Sequence, residues 1–140
     1  MIRAVLLLLA VSSPAAAQLR DFSCVGAERL AQDAVSLDFA RGADRLAPEA
    51  AALLAPLAER AKEAIERNVC VLGFAAGPEG GAETASRLAA RRARAVALQL
   101  SQLGIERDRI RAEARTRGYT TGREGQAVDR RAGARVILLP

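Results

Sequence analysis

The chain has no histidine and no tryptophan, and among its 140 residues are one tyrosine, three phenylalanines and two cysteines. Without histidine neither Ser-His nor Cys-His nucleophilic chemistry can be assembled. Two isolated cysteines make a poor metal site. The acidic residues are scattered among arginines and form no pair suited to acid–base work. An enzyme is therefore not expected, and no cofactor is implied. The scarcity of aromatics leaves no platform on which bases could stack, which argues against a nucleic-acid partner. The core must be built from Leu, Val, Ile and Ala. Lysine is nearly missing as well: Lys62 stands alone among 21 basic residues, the rest being arginine.

A long apolar run is also lacking. The only extended one is Ala4 to Val11, preceded by Met1-Ile2-Arg3 and followed by Ser-Ser-Pro and Ala15-Ala16-Ala17. That is the pattern of a cleaved export signal, residues 1–17, with a mature chain starting at Gln18. The run is too short for a permanent span, which needs about 20 residues. The mature chain is thus expected to be exported, soluble and without a membrane span. Cys24 lacks the small apolar residues of a lipoprotein cleavage site before it, since Asp21-Phe22-Ser23 stand there. Losing Arg3 lowers the formal net charge from +5 to +4, and a basic exported protein suits anionic wall polymers or membrane surfaces. In an oxidising compartment Cys24 and Cys70 are predicted to form a disulfide, tethering the N-terminal segment, residues 18–34, to a strand. The remaining length, about 120 residues, suffices for one domain.

Val35 to Phe39 alternates apolar and polar residues, as a half-buried strand does. Leu46, Ala50, Leu53, Leu54, Leu57, Ala61 and Ile65 recur at helical spacing and predict a helix over 47–67, opened by Pro48 and Glu49. Pro56 should kink or break it. Val69 to Gly73 is a continuous apolar run and reads as a buried strand. A Gly-Pro loop, 74–81, leads to a helix over 83–103 that Gly104 ends. Strands follow at 109–115 and 135–139, separated by a long Gly-, Thr- and Arg-rich stretch from Thr116 to Ala134.

In the second helix Leu88, Val96, Leu100 and Leu103 form an apolar stripe, and Arg92 lies at its edge, one turn from both Leu88 and Val96. Such an arginine can lay its stem along the core and hold its fork at the mouth of a groove. Periodicity alone leaves equally open that it belongs to a solvated face, as Arg87, Arg91 and Arg94 are read to do.

Leu37-Asp38-Phe39, Leu46-Ala47-Pro48-Glu49, Val69 to Gly73, Leu88 to Val96 and Arg135-Val136, in this order, resemble the OmpA-like peptidoglycan-binding domain over roughly Val35 to Leu139. The resemblance implies an α/β sandwich of βαβαββ order, two helices on one mixed sheet, occupying residues 35–140. It implies peptidoglycan as the partner, other envelope proteins as further ones, and a periplasmic place near the outer membrane or wall. In the family an Asp ending a Gly-His-Thr-Asp motif and a helix Arg clamp the diaminopimelate of the stem peptide. Gly73 and Arg92 match that pattern, but Phe74, Ala75 and Ala76 replace His, Thr and Asp. Ala85 replaces a helix-opening Asn, and Gly133 and Ala134 replace the Asn and first Arg of the closing motif. Arg92, with Arg135 on the closing strand, is the expected ligand contact. Losing the ammonium partner is expected to cost about 1.5–3 kcal/mol of binding, and Glu79 or Glu83 are the acids near enough to compensate. Glu83 equally reads as a helix N-terminal acid. Two functions stay open: a wall-binding module, and a degenerate domain serving as a structural or protein-interaction piece. As a rim residue Arg92 is expected to carry little packing, so Arg92→Ala should spare the fold.

Overall fold

A computed structural model describes residues 20–76, 81–115 and 133–140, the side chains of 81–83 excepted. The elements run β1 (Ala34–Leu37), α1 (Ala50–Glu63), β2 (Val69–Gly73), α2 (Gly81–Gln102), β3 (Ile110–Ala114) and β4 (Ala134–Leu138), with 3-10 turns at Ala27–Arg29 and Arg107–Arg109. The strands form one mixed sheet in the order β1-β4-β2-β3. β2 pairs parallel with β3, while β4 runs antiparallel to both β1 and β2. Hence β1, β2 and β3 all point the same way. Each βαβ crossover returns its helix to one face of the sheet, where the two helices bury their apolar sides.

That face holds the larger core. Leu54, Leu57, Val69, Val71, Val96, Leu100, Val136 and Leu138 interlock there, each fully buried side chain adding about 1.5–3 kcal/mol. β2 is buried along its whole length, which is why its sequence is a continuous apolar run and not an alternating one. Gly73 ends it for a packing reason. A Cβ at that position would sit 1.9 Å from the Ala89 carbonyl oxygen, so only glycine lets α2 cross so close to the strand.

The second face of the sheet is covered too. Residues 20–30 lie across it as a strap, and Cys24, Ala27, Phe22 and Leu30 pack on Cys70, Leu72, Ile137 and Phe74. The Cys24–Cys70 disulfide joins the two layers, its Cα atoms 5.7 Å apart. Arg111 of β3, Arg115 just past it and Arg135 of β4 donate to strap carbonyls: Arg111 to Phe22, Arg115 to Cys24 at 2.8 Å, and Arg135 to Leu30 at 2.8 Å. At the strap's start Arg20 donates to the Ile65 carbonyl at 2.7 Å and pairs with Asp108.

Several sequence expectations change. α1 runs unbroken through Pro56. Both Pro56 and Ala52, whose carbonyl loses its donor, lie on the exposed side, where water replaces the missing bond. The helix ends at Glu63, not 67, because the fully buried Arg109 gathers the Ala61, Ala64 and Arg67 carbonyls with its guanidinium. A cation there also favours the negative end of the helix dipole. Ile65, past that stop, and Leu53, both assigned to the apolar stripe, are 61% and 55% exposed. α1 starts at Ala50 with Glu49 as its N-cap residue. β1 ends at Leu37 and leaves Phe39 outside the ladder, β3 loses Arg109 to the 3-10 turn, and β4 begins at Ala134. The signal, Glu79 and the stretch 116–132 lie outside the described residues, as does the side chain of Glu83.

Candidate ligand-binding site

Because three strands are parallel, their C-terminal ends gather at one edge, the place where open α/β sheets bind ligands. The segments found there are Phe39 to Ala43 after β1, Phe74 to Ala76 after β2, and Gly133 leading into β4. Arg92 reaches this edge from α2. Its Nε donates to the Ala43 carbonyl at 2.7 Å, Nη1 to Phe74 at 2.8 Å and Nη2 to Ala40 at 3.1 Å. Its Cζ lies 5.3 Å from the centre of the Phe39 ring, within cation–π range. One guanidinium thus ties the chain after β1 to the chain after β2.

This environment departs from the rim position expected of it. Arg92 is at the anticipated end of β2, but only 3% of it is exposed, and the fork meets main-chain oxygens. The expectation that Arg92→Ala spares the fold is therefore corrected: several charged hydrogen bonds go with the side chain. The neighbouring segments are themselves fixed. The Phe74 amide donates to the Gly133 carbonyl at 2.9 Å and the Arg115 amide to the Gly73 carbonyl at 2.8 Å. The Phe74 side chain meanwhile packs into the strap-side cluster. A Cβ on Gly133 would fall 2.4 Å from the Phe39 ring. The departure from asparagine at 133 thus makes room for the same ring that lies over Arg92.

Arg135 does not join this site. Ala134, Val136 and Leu138 face the helices and Ile137 faces the strap, so alternation puts Arg135 on the strap side, as its bond to Leu30 confirms. Among the arginines read as solvated, Arg91 pairs with Asp44 at 2.9 Å, closing the flank of the Ala40–Ala43 segment. Ala75 and Ala76 add no charge where the family pattern has Thr and Asp. Among the described residues no group of three or more His, Cys, Asp and Glu side chains could hold a metal ion, and no helix is long and apolar enough to cross a membrane.

Two carboxylates elsewhere are held below their ordinary values. Asp33, ordinarily near 3.8, is lowered first by its hydrogen bond from Arg67 and then by the charges of Arg67 and Arg60. Glu106, ordinarily near 4.5, is lowered first by its hydrogen bond from Arg109. Both are fold fasteners remote from the Arg92 end.

A mixed four-stranded sheet of this order with two helices packed on one face is the α/β arrangement of OmpA-type domains. The OmpA family model matches residues 38–132, and the chain belongs to that family. No curated protein matches it in sequence. Similar folds include the peptidoglycan-associated lipoprotein from Burkholderia pseudomallei, 24% identical, with 74% of this chain and 87% of that one covered and a TM-score of 0.59. The OmpA-like domain of FopA1 from Francisella tularensis is 22% identical, with 76% and 73% covered and a TM-score of 0.60. The periplasmic domain of Helicobacter pylori MotB is 16% identical, with 76% and 73% covered and a TM-score of 0.57.

Proposed function

We propose that this chain is an exported, non-enzymatic module of the periplasm that associates non-covalently with peptidoglycan through the C-terminal end of its sheet. The observation that carries this reading is Arg92, standing at the end of β2 in the place of the family's helix arginine and holding the loops that border that end. Membership of the OmpA family and likeness in fold to a peptidoglycan-associated lipoprotein support it. Within this reading Arg92 works first as a positioning residue. The carbonyls of Ala40, Ala43 and Phe74 must give way before a ligand carboxylate can take its fork. Arg135, bonded to Leu30 on the other face, serves the strap in place of the ligand.

A second reading, a domain that kept the fold and lost the ligand to become a structural or interaction piece, is favoured by the burial of Arg92 and by alanine at 76. Sedimentation of the mature chain with purified sacculi, with and without free diaminopimelate, separates the two. Retention at low salt is the expected result, and competition by diaminopimelate then reports whether the fork itself takes the stem peptide. Failure to co-sediment at low salt sinks the wall-binding reading in favour of the second.

A further inference from the structure

At the opposite end of the sheet from Arg92, a cavity of about 280 Å³ lies between the second half of α2 and the start of β3. We propose that this cavity, with the arginines beside it, docks the domain on an anionic phospholipid surface. Its apolar lining is Ala97, Leu98 and Ile110, and its polar lining is Ser101 and Arg107. Leu98 is 50% exposed, an apolar lip that no described element covers completely. One turn back along α2 stands the exposed Arg94. From Thr84 to Gln102 the helix carries no acidic residue.

The two acids that flank Arg107 in sequence are engaged with other arginines. Glu106 is bonded to the buried Arg109 and Asp108 pairs with Arg20. An arginine fork takes a phosphate oxygen pair well, and basic side chains near an anionic leaflet each strengthen attachment. An interface needs both properties at once, apolar surface to enter the headgroup boundary and cations to meet the phosphates. The cavity sits at the lower edge of ligand-pocket size, so it suits a short stretch of acyl chain and not a whole lipid. This reading is independent of wall binding, because the two regions lie at different ends of the sheet. Together they let one small domain touch lipid and wall simultaneously.

The test is flotation of the chain from Gln18 onward, which keeps every described residue, with vesicles of phosphatidylcholine alone or mixed with phosphatidylglycerol. Binding is expected only to the mixed vesicles and should fade at about 0.5 M salt. The double variant Arg94→Ala/Arg107→Ala should bind roughly thirtyfold more weakly, and Leu98→Asp should also lose binding. Arg60→Ala/Lys62→Ala removes the same charge on α1 and should retain it. The proposal is overturned if wild-type protein does not float, if it floats equally with phosphatidylcholine, or if the α1 variant loses as much as the α2 variant. The replaced side chains are exposed, and melting curves verify folding. Sacculus binding by the same variants should be unchanged, so the two functions fail separately.

Discussion

Replacing Arg92 with alanine removes its charged hydrogen bonds to the Ala43, Phe74 and Ala40 carbonyls, among others, and a ring contact at 5.3 Å. A hydrogen bond to a charged group is worth about 1.5–3 kcal/mol, but the three acceptors do not lose equally. Ala40 is exposed, so its carbonyl rehydrates at little cost, whereas Ala43 and Phe74 are half-buried. Because water partly replaces the donor at each, those two carbonyls together lose about the worth of one such bond, and adding about 0.5–1 kcal/mol for the contact with Phe39 the net loss should be about 2–4 kcal/mol. A domain of about 120 residues unfolds with an entropy near 250 cal/mol/K, so each kcal/mol lowers the midpoint by about 4 °C. Arg92→Ala should then melt roughly 8–16 °C below wild type, followed by circular dichroism because the chain has no tryptophan. Arg92→Lys should fall between, since an ammonium is too compact to span three separated carbonyls. A midpoint for Arg92→Ala within about 2 °C of wild type would refute the fastening role and restore the rim-arginine picture.

Gly73→Ala should be among the most damaging changes, since its Cβ lands on the Ala89 carbonyl. A loss above about 3 kcal/mol or failure to fold is expected, whereas Gly42→Ala, at φ 71° in open space, should cost only about 1–2 kcal/mol in the same urea titration. Replacing both cysteines with alanine opens a loop of sequence separation 46 and should remove about 4 kcal/mol. With Cys24 1% and Cys70 0% exposed, thiol titration of native protein should detect no reduction until the chain unfolds. Asp33 and Glu106 have folded pKa values below their unfolded ones, so their stabilisation is complete above the unfolded values and lost as pH falls through the folded ones. Melting temperature should therefore decline from about pH 4.5 downward, and Asp33→Asn should flatten part of that decline.

Much of the secondary structure was readable because its causes are local. Val69 to Gly73 announces a strand buried on both faces, and Leu88, Val96 and Leu100 announce the inner side of α2. What escaped depends on groups far apart in the chain. Nothing near Glu63 predicts that Arg109 will collect the carbonyls ending α1. Arg111, Arg115 and Arg135 look like ordinary strand charges until the strap supplies oxygens from Phe22, Cys24 and Leu30. The expectation of export pointed to the Cys24–Cys70 pair, though not to the layer built around it. For Arg92 the helical register gave the correct edge of the stripe and the correct end of the sheet. Burial depends on the Ala40–Ala43 segment folding over it and on the Phe39 ring, which periodicity cannot register.

The position of β4 has a consequence for how the molecule comes to exist. Among the described strands the one latest in sequence, β4, lies between β1 and β2, so β1 and β2 are not neighbours in the sheet. Until residues 134–138 join, the described strands before them are the β2–β3 pair and β1, which lack the strand that connects them. Loop closure across about 100 residues must therefore precede completion of the sheet, which places its rate-limiting contacts among the non-local ones. A chain with this strand order stays uncommitted until β4 joins β1 to β2, so the contacts that complete its sheet are those farthest apart in sequence.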